Sequence, residues 1–344
     1  MTTWLQFLAD QGAGFDEAAG GELTGFGAAA APSSFMAPLT DLGLIAVSGE
    51  EGAQFLHNQL TNDVEHLGSG EARLAGYCSP KGRLLATLLM WKAEAGIMLQ
   101  LPKALQPAIQ KRLQMFVLRA KAKLADAVDE AVAIGLAGQQ AQDALGNLFP
   151  QLPAADYAKV DAPAGSLIRM PDAFNVPRYL WITRPETAQQ AWPTLSASVP
   201  PAAPSLWRRS QIAAGIPQIT PATQDQFVPQ MVNFELVGGV NFRKGCYPGQ
   251  EIVARSQYLG KLKRRMMRAE VDAAEVRAGM EIFAASDPDQ PCGMVVNAEP
   301  NDRGGADCLV EIKLALAEAG IRLGTASGPE VRLAAVPYPV TEPA

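Results

Sequence analysis

A cysteine in a cationic turn is the feature of this sequence with the clearest chemical potential. Cys246 stands two residues after Lys244 and three after Arg243. Nearby cations stabilise a thiolate, so the pKa of such a thiol can fall below its free value of about 8.5 and the sulfur becomes reactive. The alternative is a small buried thiol packed in a tight turn. These residue types leave both interpretations open.

The residues around Cys246 form a glycine-rich segment with the sequence Lys-Gly-Cys-Tyr-Pro-Gly-Gln-Glu at positions 244–251. Gly245 and Gly249 allow positive φ or a close backbone approach, and Pro-Gly is a turn dipeptide. No histidine or carboxylate triad for the thiol is evident from the sequence around it. The other side chains of the segment, of which we expect the last two to orient their neighbours, are Tyr247, Gln250 and Glu251.

The segment begins a strongly basic window on an acidic chain. Positions 243–268 hold eight Lys and Arg residues and a single acid, a charge of +7, whereas the whole chain is −6. A basic window on an acidic protein favours a local surface that recognises an anion. A solvated β-hairpin with charged edges is the alternative. Direct RNA binding, through 261–268 and the basic stretch 111–123, is disfavoured by the acidic net charge and the lack of interleaved aromatic residues.

Composition places the chain among globular proteins and leaves little for a metal. Its 344 residues, 48% hydrophobic and 19% charged, suggest two or three domains. It has two histidines and four widely spaced cysteines without a CxxC pair, so we expect no permanently bound metal. The apolar run 84–91 is too short to span a membrane. The acidic N-terminus and sparse cysteines predict reduced thiols in a bacterial cytoplasm, and we expect a monomer.

Apolar patterning predicts an α+β fold that ends in a small β-barrel. A capping box from Ser48 to Glu51 predicts a helix start, and an amphipathic helix is predicted over 104–118. The predicted strands are 42–47, 73–78, 83–92, 96–101, 280–284, 293–297, 308–313 and 331–335. The predicted regions are a poorly patterned segment 1–36, a first α+β domain 37–148, a second α+β domain 149–267 that holds the motif, and a β-barrel 268–344.

The segment 244–251 resembles the signature of the YgfZ-type folate-binding proteins, relatives of the glycine-cleavage T protein (aminomethyltransferase) that support iron–sulfur enzymes. The resemblance extends over about residues 38–340 and includes Gln59-Leu-Thr-Asn-Asp63, Ile212–Pro217 and Gln226–Gln230. It implies a three-domain arrangement around a central channel that binds tetrahydrofolate or a folate derivative. Trp207, which would stack on the flat pterin, and Leu42 match pocket positions of the family.

The resemblance also implies partners and a role for the thiol. The partners are folate and iron–sulfur client enzymes, among them radical enzymes that methylthiolate tRNA, so any tRNA connection is expected to run through a client. Cys246 would lie at the channel and contact a cluster, sulfur or another thiol, with Lys244 and Arg243 tuning it.

Three positions separate this chain from the aminomethyltransferases. Those enzymes carry carboxylates where this sequence has Ala86, Thr87 and Ala213. Neither Ala nor Thr can act as acid or base at neutral pH, so a folate pocket is expected without the transferase chemistry. A folate-dependent one-carbon transferase stays as the alternative, for which Asp63 is the nearest carboxylate, unless it serves as a loop cap.

Overall fold

The computed structural model describes residues 3–17, 21–26, 33–94, 96–259 and 262–341. Within these ranges the chain has a mixed α/β fold built on three antiparallel sheets of five, five and six strands, with a further two-stranded antiparallel sheet near the N-terminus. The helices are α1 (Thr3–Asp10), α2 (Gly52–His57), α3 (Gln106–Val117), α4 (Gln139–Leu145), α5 (Pro185–Ser196), α6 (Pro204–Ala213) and α7 (Gln250–Tyr258), with 3-10 turns at Pro229–Val232 and Leu314–Leu316.

The strands are β1 (Gly14–Asp16), β2 (Glu22–Gly25), β3 (Phe35–Pro38), β4 (Leu42–Ser48), β5 (Ala72–Cys78), β6 (Leu84–Ala93), β7 (Gly96–Pro102), β8 (Lys123–Asp126), β9 (Val132–Ala137), β10 (Lys159–Ala162), β11 (Gly165–Ala173), β12 (Val176–Thr183), β13 (Arg264–Val271), β14 (Glu281–Ala284), β15 (Asp287–Pro300), β16 (Ala306–Lys313), β17 (Ile321–Leu323) and β18 (Val331–Ala334).

The first sheet has the order β5-β6-β7-β4-β8. Strand β6 is buried along almost its whole length, including Trp91, which explains its continuous apolar run: both faces of the strand pack against protein. Helix α3 buries Ile109 and Leu113 against this sheet, whereas Phe116, which the helical pattern also placed on the apolar side, is exposed. The four strands predicted between residues 42 and 101 and the helix predicted over 104–118 are confirmed.

The second sheet has the order β10-β11-β12-β9-β3, so it takes strands from both sides of the predicted boundary at residue 148. Helix α1 packs on its core, where Trp4 meets Trp192 edge to face with ring centroids 6.0 Å apart. The N-terminal segment therefore contributes a short amphipathic helix, too brief to give a long periodic pattern. The three predicted domain boundaries stay predictions.

The third sheet has the order β17-β14-β15-β16-β13-β18. An isolated bridge between Arg322 and Glu330 draws its outer strands together, which gives a half-barrel around Val295, Val310 and Ile312. Helix α6 lies between this sheet and the second one. The predicted late strands are confirmed, and the basic residues from Arg264 onward form β13, an interior strand of the sheet.

The helix start predicted at Ser48 is wrong. Ser48 pairs with Lys123 as the last residue of β4, and α2 begins four residues later at Gly52. Glu51 is the N-cap residue, but its carboxylate accepts the backbone N–H of Lys121 instead of capping α2. Sheet pairing thus outweighed the local capping signal. None of the helices in the described parts of the chain is long and apolar enough to cross a membrane.

Candidate functional site

Lys244 fixes the Cys246 turn to the end of helix α2. Its ammonium donates to the backbone carbonyls of His57, the last residue of α2, and of Leu60, the latter at 2.9 Å. Carbonyls at a helix C-terminus have no partner within the helix, so a buried cation there satisfies them. Burial lowers the pKa of Lys244 to about 8, although the nearby Asp63 opposes that change.

Tyr247 covers the same ammonium from the other side. Its ring is buried, and its centroid lies 4.9 Å from Nζ of Lys244, the geometry of a cation–π contact. Burial also raises the pKa of the Tyr247 hydroxyl, so the phenol stays neutral. Lys244 and Tyr247 therefore act as the internal anchor of the turn.

Gly249 ends the turn and begins α7. It has φ of 80°, and a Cβ on it would lie 2.6 Å from Cα of Gly82, in the β5–β6 turn. Only glycine fits this left-handed position at such a close approach. The prediction of a positive φ and a close backbone approach is thus confirmed for Gly249. At Gly245, by contrast, the ring of His57 is the only described neighbour within 4 Å of the position that a Cβ would take.

The anchored turn leaves Cys246 exposed. Of the four cysteines of the chain, all free, the other three are buried. Burial raises the pKa of the Cys78 and Cys308 thiols to about 12 and also raises that of Cys292. The reading of Cys246 as a small buried thiol is wrong. The other exposed or half-exposed groups of the motif are Arg243, Gln250 and Glu251, the last 3.7 Å from Arg255.

Trp207 and Leu42, the two predicted pocket residues, line one cleft between the first sheet, the second sheet and helix α6. The cavity is small, about 50 Å³, and it adjoins a larger one of about 280 Å³ that is also lined by Leu42 and Gln100. Amide side chains supply much of its polar lining, namely those of Gln100, Gln211 and Gln218. The structure therefore brings Trp207 and Leu42 together, and it places both away from the motif residues.

Trp207 is a buried wall of this cleft. Its ring packs so closely on Gly135 that a Cβ there would collide with it, and the Arg178 guanidinium lies 5.0 Å from the ring centroid. Arg178 donates to Oε1 of Gln211 at 2.7 Å, which orients that cleft amide. Complete burial lowers the pKa of Arg178 to about 10. These contacts fix the position of the tryptophan and of the amide beside it.

Asp41 is a cleft residue that the sequence analysis missed. Its Oδ2 accepts from Arg208 at 2.7 Å, while its buried Oδ1 has no hydrogen-bond partner in the described part of the chain. Arg208 also donates to Glu299 and Glu22, so three carboxylates surround this cation. The signal available in the sequence was an acid immediately before Leu42.

The three positions at which the resemblance led us to expect a difference from the aminomethyltransferases carry no carboxylate here. Ala86 is fully buried in β6, and the Thr87 hydroxyl accepts the backbone N–H of Ile219 at 3.0 Å. Ala213 is the last residue of α6. Asp63 is not among the residues that line the cleft; it lies beside two imidazoles, 3.2 Å from His57 and 2.9 Å from His66. Of these two carboxylates, Asp41 and not Asp63 lines the cleft.

Strand β6 connects the cleft to the Cys246 turn. Thr87 lines the cleft, and five residues earlier Gly82 touches Gly249 and Ile252. At ~3.4 Å per residue of extended chain, Gly82 and Thr87 are at most roughly 17 Å apart.

Three arginines of the basic window are held by other parts of the protein. Arg265 pairs with Glu235 inside the protein, and Arg264 pairs with Glu311 of the half-barrel. Arg268 donates to the backbone carbonyl of Ala335 at 2.7 Å. Lys261 lies outside the described residues. The prediction of a local anion-recognition surface is therefore wrong for Arg264 and Arg265, because acids from other elements neutralise them.

The described residues contain no group of three or more His, Cys, Asp or Glu side chains arranged to hold a metal ion. The described residues therefore provide one exposed thiol, on an anchored turn, and a separate cleft lined by amide side chains and one carboxylate.

Comparison with solved structures identifies the fold. The glycine cleavage system aminomethyltransferase T from Bartonella henselae superposes with a TM-score of 0.77 over 96% of this chain and 95% of that one, at 15% sequence identity. The chain thus has the fold of aminomethyltransferase T, and on this fold it carries a cleft and an exposed thiol. No protein-family model matches it.

Curated relatives narrow the class to one family. The tRNA-modifying protein YgfZ of Klebsiella pneumoniae is 34% identical over 251 residues, 71% of this chain and 75% of that protein. Those of Enterobacter sp. and Edwardsiella ictaluri are 33% and 37% identical, over 69% and 64% of this chain and 72% and 66% of theirs. The chain belongs to the YgfZ family.

Proposed function

We propose that this chain is a folate-binding accessory protein that supports the assembly or repair of iron–sulfur enzymes, with Cys246 as its working thiol. The clients include enzymes that modify tRNA, in keeping with the tRNA-modifying role in its relatives' name. The observation that carries the proposal is the exposure of Cys246 on a turn anchored by Lys244 and Gly249. A rigid, accessible thiol suits transient contact with a cluster, sulfur or another thiol of a partner.

Tetrahydrofolate is the ligand we propose for the Trp207 cleft together with the larger cavity that adjoins it, and the residue types of the cleft fit a pterin. A pterin is flat and carries several N–H groups. These could donate to the unpartnered Oδ1 of Asp41 and to the side-chain amides of Gln100 and Gln211. Trp207 and Leu42 supply the apolar wall. Bound folate would supply a one-carbon carrier or a redox-active ring beside these groups.

The glutamate tail of the folate would leave through an adjoining hollow. A second hollow shares Leu42 and Gln100 with the cleft and is also lined by Lys103. Lys103 is exposed, whereas Arg208 is already surrounded by three carboxylates. Lys103 is therefore the better cation for an anionic tail.

The alternative is a folate-dependent aminomethyltransferase or one-carbon transferase. Asp41 is the observation that favours it, because a carboxylate that lines the cleft, with one oxygen unpartnered in the described residues, could take a proton from a folate nitrogen or return it. Turnover of methylene-tetrahydrofolate formation by the purified protein, abolished by Asp41→Asn, would establish this alternative. Folate binding without turnover favours the accessory role.

The experiment for the leading proposal is complementation of a cell strain that lacks its own copy. A cluster-dependent tRNA methylthiolation is measured with Cys246→Ala and, as a thiol-removal control, Cys292→Ala. We expect loss of the modification with the first variant and wild-type levels with the second, at equal protein abundance. Full activity of Cys246→Ala would exclude Cys246 from the function.

We propose that tRNA is reached through client enzymes and is not bound directly. Support comes from the ion pairs that occupy Arg264 and Arg265, and from the pairing of Lys121 in the second basic stretch with Glu50. Direct binding would weaken steeply with salt, so retention of tRNA on the purified protein at 50 mM salt would contradict this proposal.

A further inference from the structure

An open groove lies between helices α2 and α3, apart from the Trp207 cleft. Its volume is about 370 Å³. Helix α2 and the turn after it contribute Gln54, Phe55, Asn58 and Gln59, and the end of α3 contributes Phe116 and Arg119. This lining, which we call the α2–α3 groove, combines aromatic rings with a few polar groups, the composition of a binding site.

Large apolar side chains are exposed at the α3 side of the groove. Met115, Phe116 and Leu118 are 59%, 47% and 85% exposed. They are three of the eight large apolar residues that are exposed in the described parts of the chain, and they fall within four consecutive positions. A single exposed apolar residue is ordinary on a protein surface, whereas a cluster of them marks a contact surface.

The backbone at the end of α3 is strained where it holds this cluster outward. Leu118 is the residue at which α3 ends, and its φ of 43° lies in the left-handed region that residues with a branched side chain avoid. The turn after it is closed by the backbone N–H of Ala120, which donates to the carbonyl of Val117 at 2.7 Å. Strain beside an exposed apolar side chain is unfavourable for the free protein, which favours a role in contact with a partner.

The charges around the groove favour an anionic partner. The cations along α3 and the turn after it are Lys111, Arg119, Lys121 and Lys123. The acids at the start of α2 are Glu50 and Glu51, and both already have partners, since Glu50 pairs with the Lys121 ammonium at 2.9 Å and Glu51 accepts the backbone N–H of Lys121. Arg119 lines the groove and takes part in none of the ion pairs found among the described residues. A guanidinium beside apolar side chains suits a carboxylate on an apolar segment.

Gln59 adds an unsatisfied polar group to the groove. Its Oε1 is buried and has no hydrogen-bond partner in the described part of the chain. A buried carbonyl oxygen without a partner is unfavourable, and a backbone N–H of a docked extended segment would satisfy it.

The groove and the Cys246 turn share one short segment of the chain. Asn58 and Gln59 line the groove, and the residues on either side of them, His57 and Leu60, provide the carbonyls that accept from Lys244. A segment bound in the groove is therefore next to the turn that carries the exposed thiol.

We propose that the α2–α3 groove is the docking site for the protein that Cys246 serves, and that it binds a segment combining large apolar side chains with carboxylates. The apolar side chains pack against Met115 and Phe116, and a carboxylate pairs with Arg119. This inference rests on the proposed function, because the occupant is a client of the thiol. An acidic protein segment fits better than RNA, since RNA is bound through several aromatic faces and Phe116 is the one exposed ring in the described lining.

The probes for this site are two synthetic peptides, each ending in a cysteine activated as a pyridyl disulfide. One joins Glu-Phe-Asp-Leu-Glu to that cysteine through a Gly-Ser linker, and the other has lysine in place of every acid. A linker of about eight residues reaches up to ~27 Å. The Cys246 thiolate attacks the peptide sulfur, the activated S–S bond breaks and thiopyridone leaves, so absorbance follows the rate in the full-length protein. Mass spectrometry confirms which cysteine carries the peptide.

In the wild type the acidic peptide should react about tenfold faster than the basic one, because docking raises its concentration at the thiol. Arg243, close to Cys246, favours the acidic peptide by itself, so the deciding variant is the uncharged change Phe116→Ser. It should slow the acidic peptide about fivefold, and Arg119→Glu about tenfold. Neither change should alter the rate with free dithiodipyridine, which needs no docking and reports on the thiol alone.

Matched controls change the same residue types elsewhere. Leu314→Ser removes an apolar side chain that is 43% exposed on the half-barrel, and Arg277→Glu reverses a charge that is 78% exposed. Both should react like the wild type. An acidic peptide that reacts no faster than the basic one, or an unchanged rate in Phe116→Ser, would overturn the proposal. Slowing of both peptides by added tRNA would assign the surface to nucleic acid and overturn it as well. The sulfur is only a reporter in these measurements, so their outcome is independent of the complementation by Cys246→Ala, which tests the proposed function itself.

Discussion

Gly249 and Gly82 are in such close contact that neither position has room for a side chain. A Cβ on Gly249 would lie 2.6 Å from Cα of Gly82, and one on Gly82 would lie 2.9 Å from Cβ of Ile252. Both residues have positive φ, 80° and 69°. This contact holds the start of α7, and with it the Cys246 turn, against the hairpin of β5 and β6, whose second strand also lines the Trp207 cleft.

Replacing Gly249 by alanine should therefore destabilise the protein through both strain and collision. We expect a loss of about 2–4 kcal/mol in the free energy of unfolding, the sum of left-handed strain and overpacking. Urea denaturation measures it. Gly238 is a matched control, since its φ is also 80° but nothing lies within 4 Å of its Cβ position. Gly238→Ala should cost only ~1–2 kcal/mol. Equal losses in the two variants would show that the contact with Gly82 contributes nothing.

Lys244 should make stability depend on pH in the alkaline range. Its pKa is lowered by burial from 10.5 to about 8, so between these values the unfolded chain binds more protons than the folded one. Stability contributed by this group should then rise as the pH increases from about 8 to about 10.5, and stay constant below pH 8. The measurement is the difference in unfolding free energy between wild type and Lys244→Met at pH 7, 8.5 and 10.

The exposed Lys81 serves as the control for that series. Lys81→Met should differ from the wild type by a constant amount, within about 0.5 kcal/mol, over the same range. A Lys244→Met difference that does not change with pH would contradict the assignment of a lowered pKa to Lys244.

Arg265 should behave as part of the protein interior and not as a nucleic-acid contact. It pairs with Glu235, and both side chains are at most 4% exposed. Removing one partner leaves the other charge buried without a counter-charge. Arg265→Gln should therefore lower the free energy of unfolding, measured by urea denaturation, by about 3–5 kcal/mol. Lys263→Gln, two residues earlier and exposed, should stay within about 0.5 kcal/mol. A small effect at Arg265 would mean that its charge is hydrated and available to a ligand.

The Trp207 cleft should lose affinity for tetrahydrofolate when its wall or its carboxylate is changed. Trp207→Phe should weaken binding about three- to tenfold, the range of an aromatic contact. Asp41→Asn removes the acceptor charge and should weaken it by at least tenfold, since hydrogen bonds to charged groups contribute ~1.5–3 kcal/mol. Isothermal titration calorimetry measures both affinities without relying on tryptophan fluorescence.

Matched substitutions outside the cleft complete that experiment. Trp192→Phe changes a tryptophan of another core cluster, and Asp302→Asn changes an acid paired with Arg209 on the half-barrel side of α6. Both should bind tetrahydrofolate like the wild type. Unchanged affinity in Trp207→Phe and Asp41→Asn together would remove the folate site from this cleft.

Residue order alone was enough to predict four strands of the first sheet, helix α3, four strands of the half-barrel and the tight turn around Cys246. The apolar runs at β4, β6 and β7 and the stripe of α3 depend on burial of local patterns, which the sequence displays directly. Cys246 was identified from its neighbours Lys244 and Gly249, because residue type and spacing specify a tight turn. The failure at Ser48 came where a local capping signal competed with pairing to β8, a strand some 75 residues away.

Only the tertiary structure determines which residues far apart in the chain come into contact. The charge of Arg265 is cancelled by Glu235, Lys244 reaches the end of α2, and Asp41 and not Asp63 lines the cleft. His57 meets the turn at Gly245 across almost 190 residues of sequence. Electrostatic and hydrogen-bond energies depend on distance and burial, which a sequence does not contain until the sheets bring these side chains together.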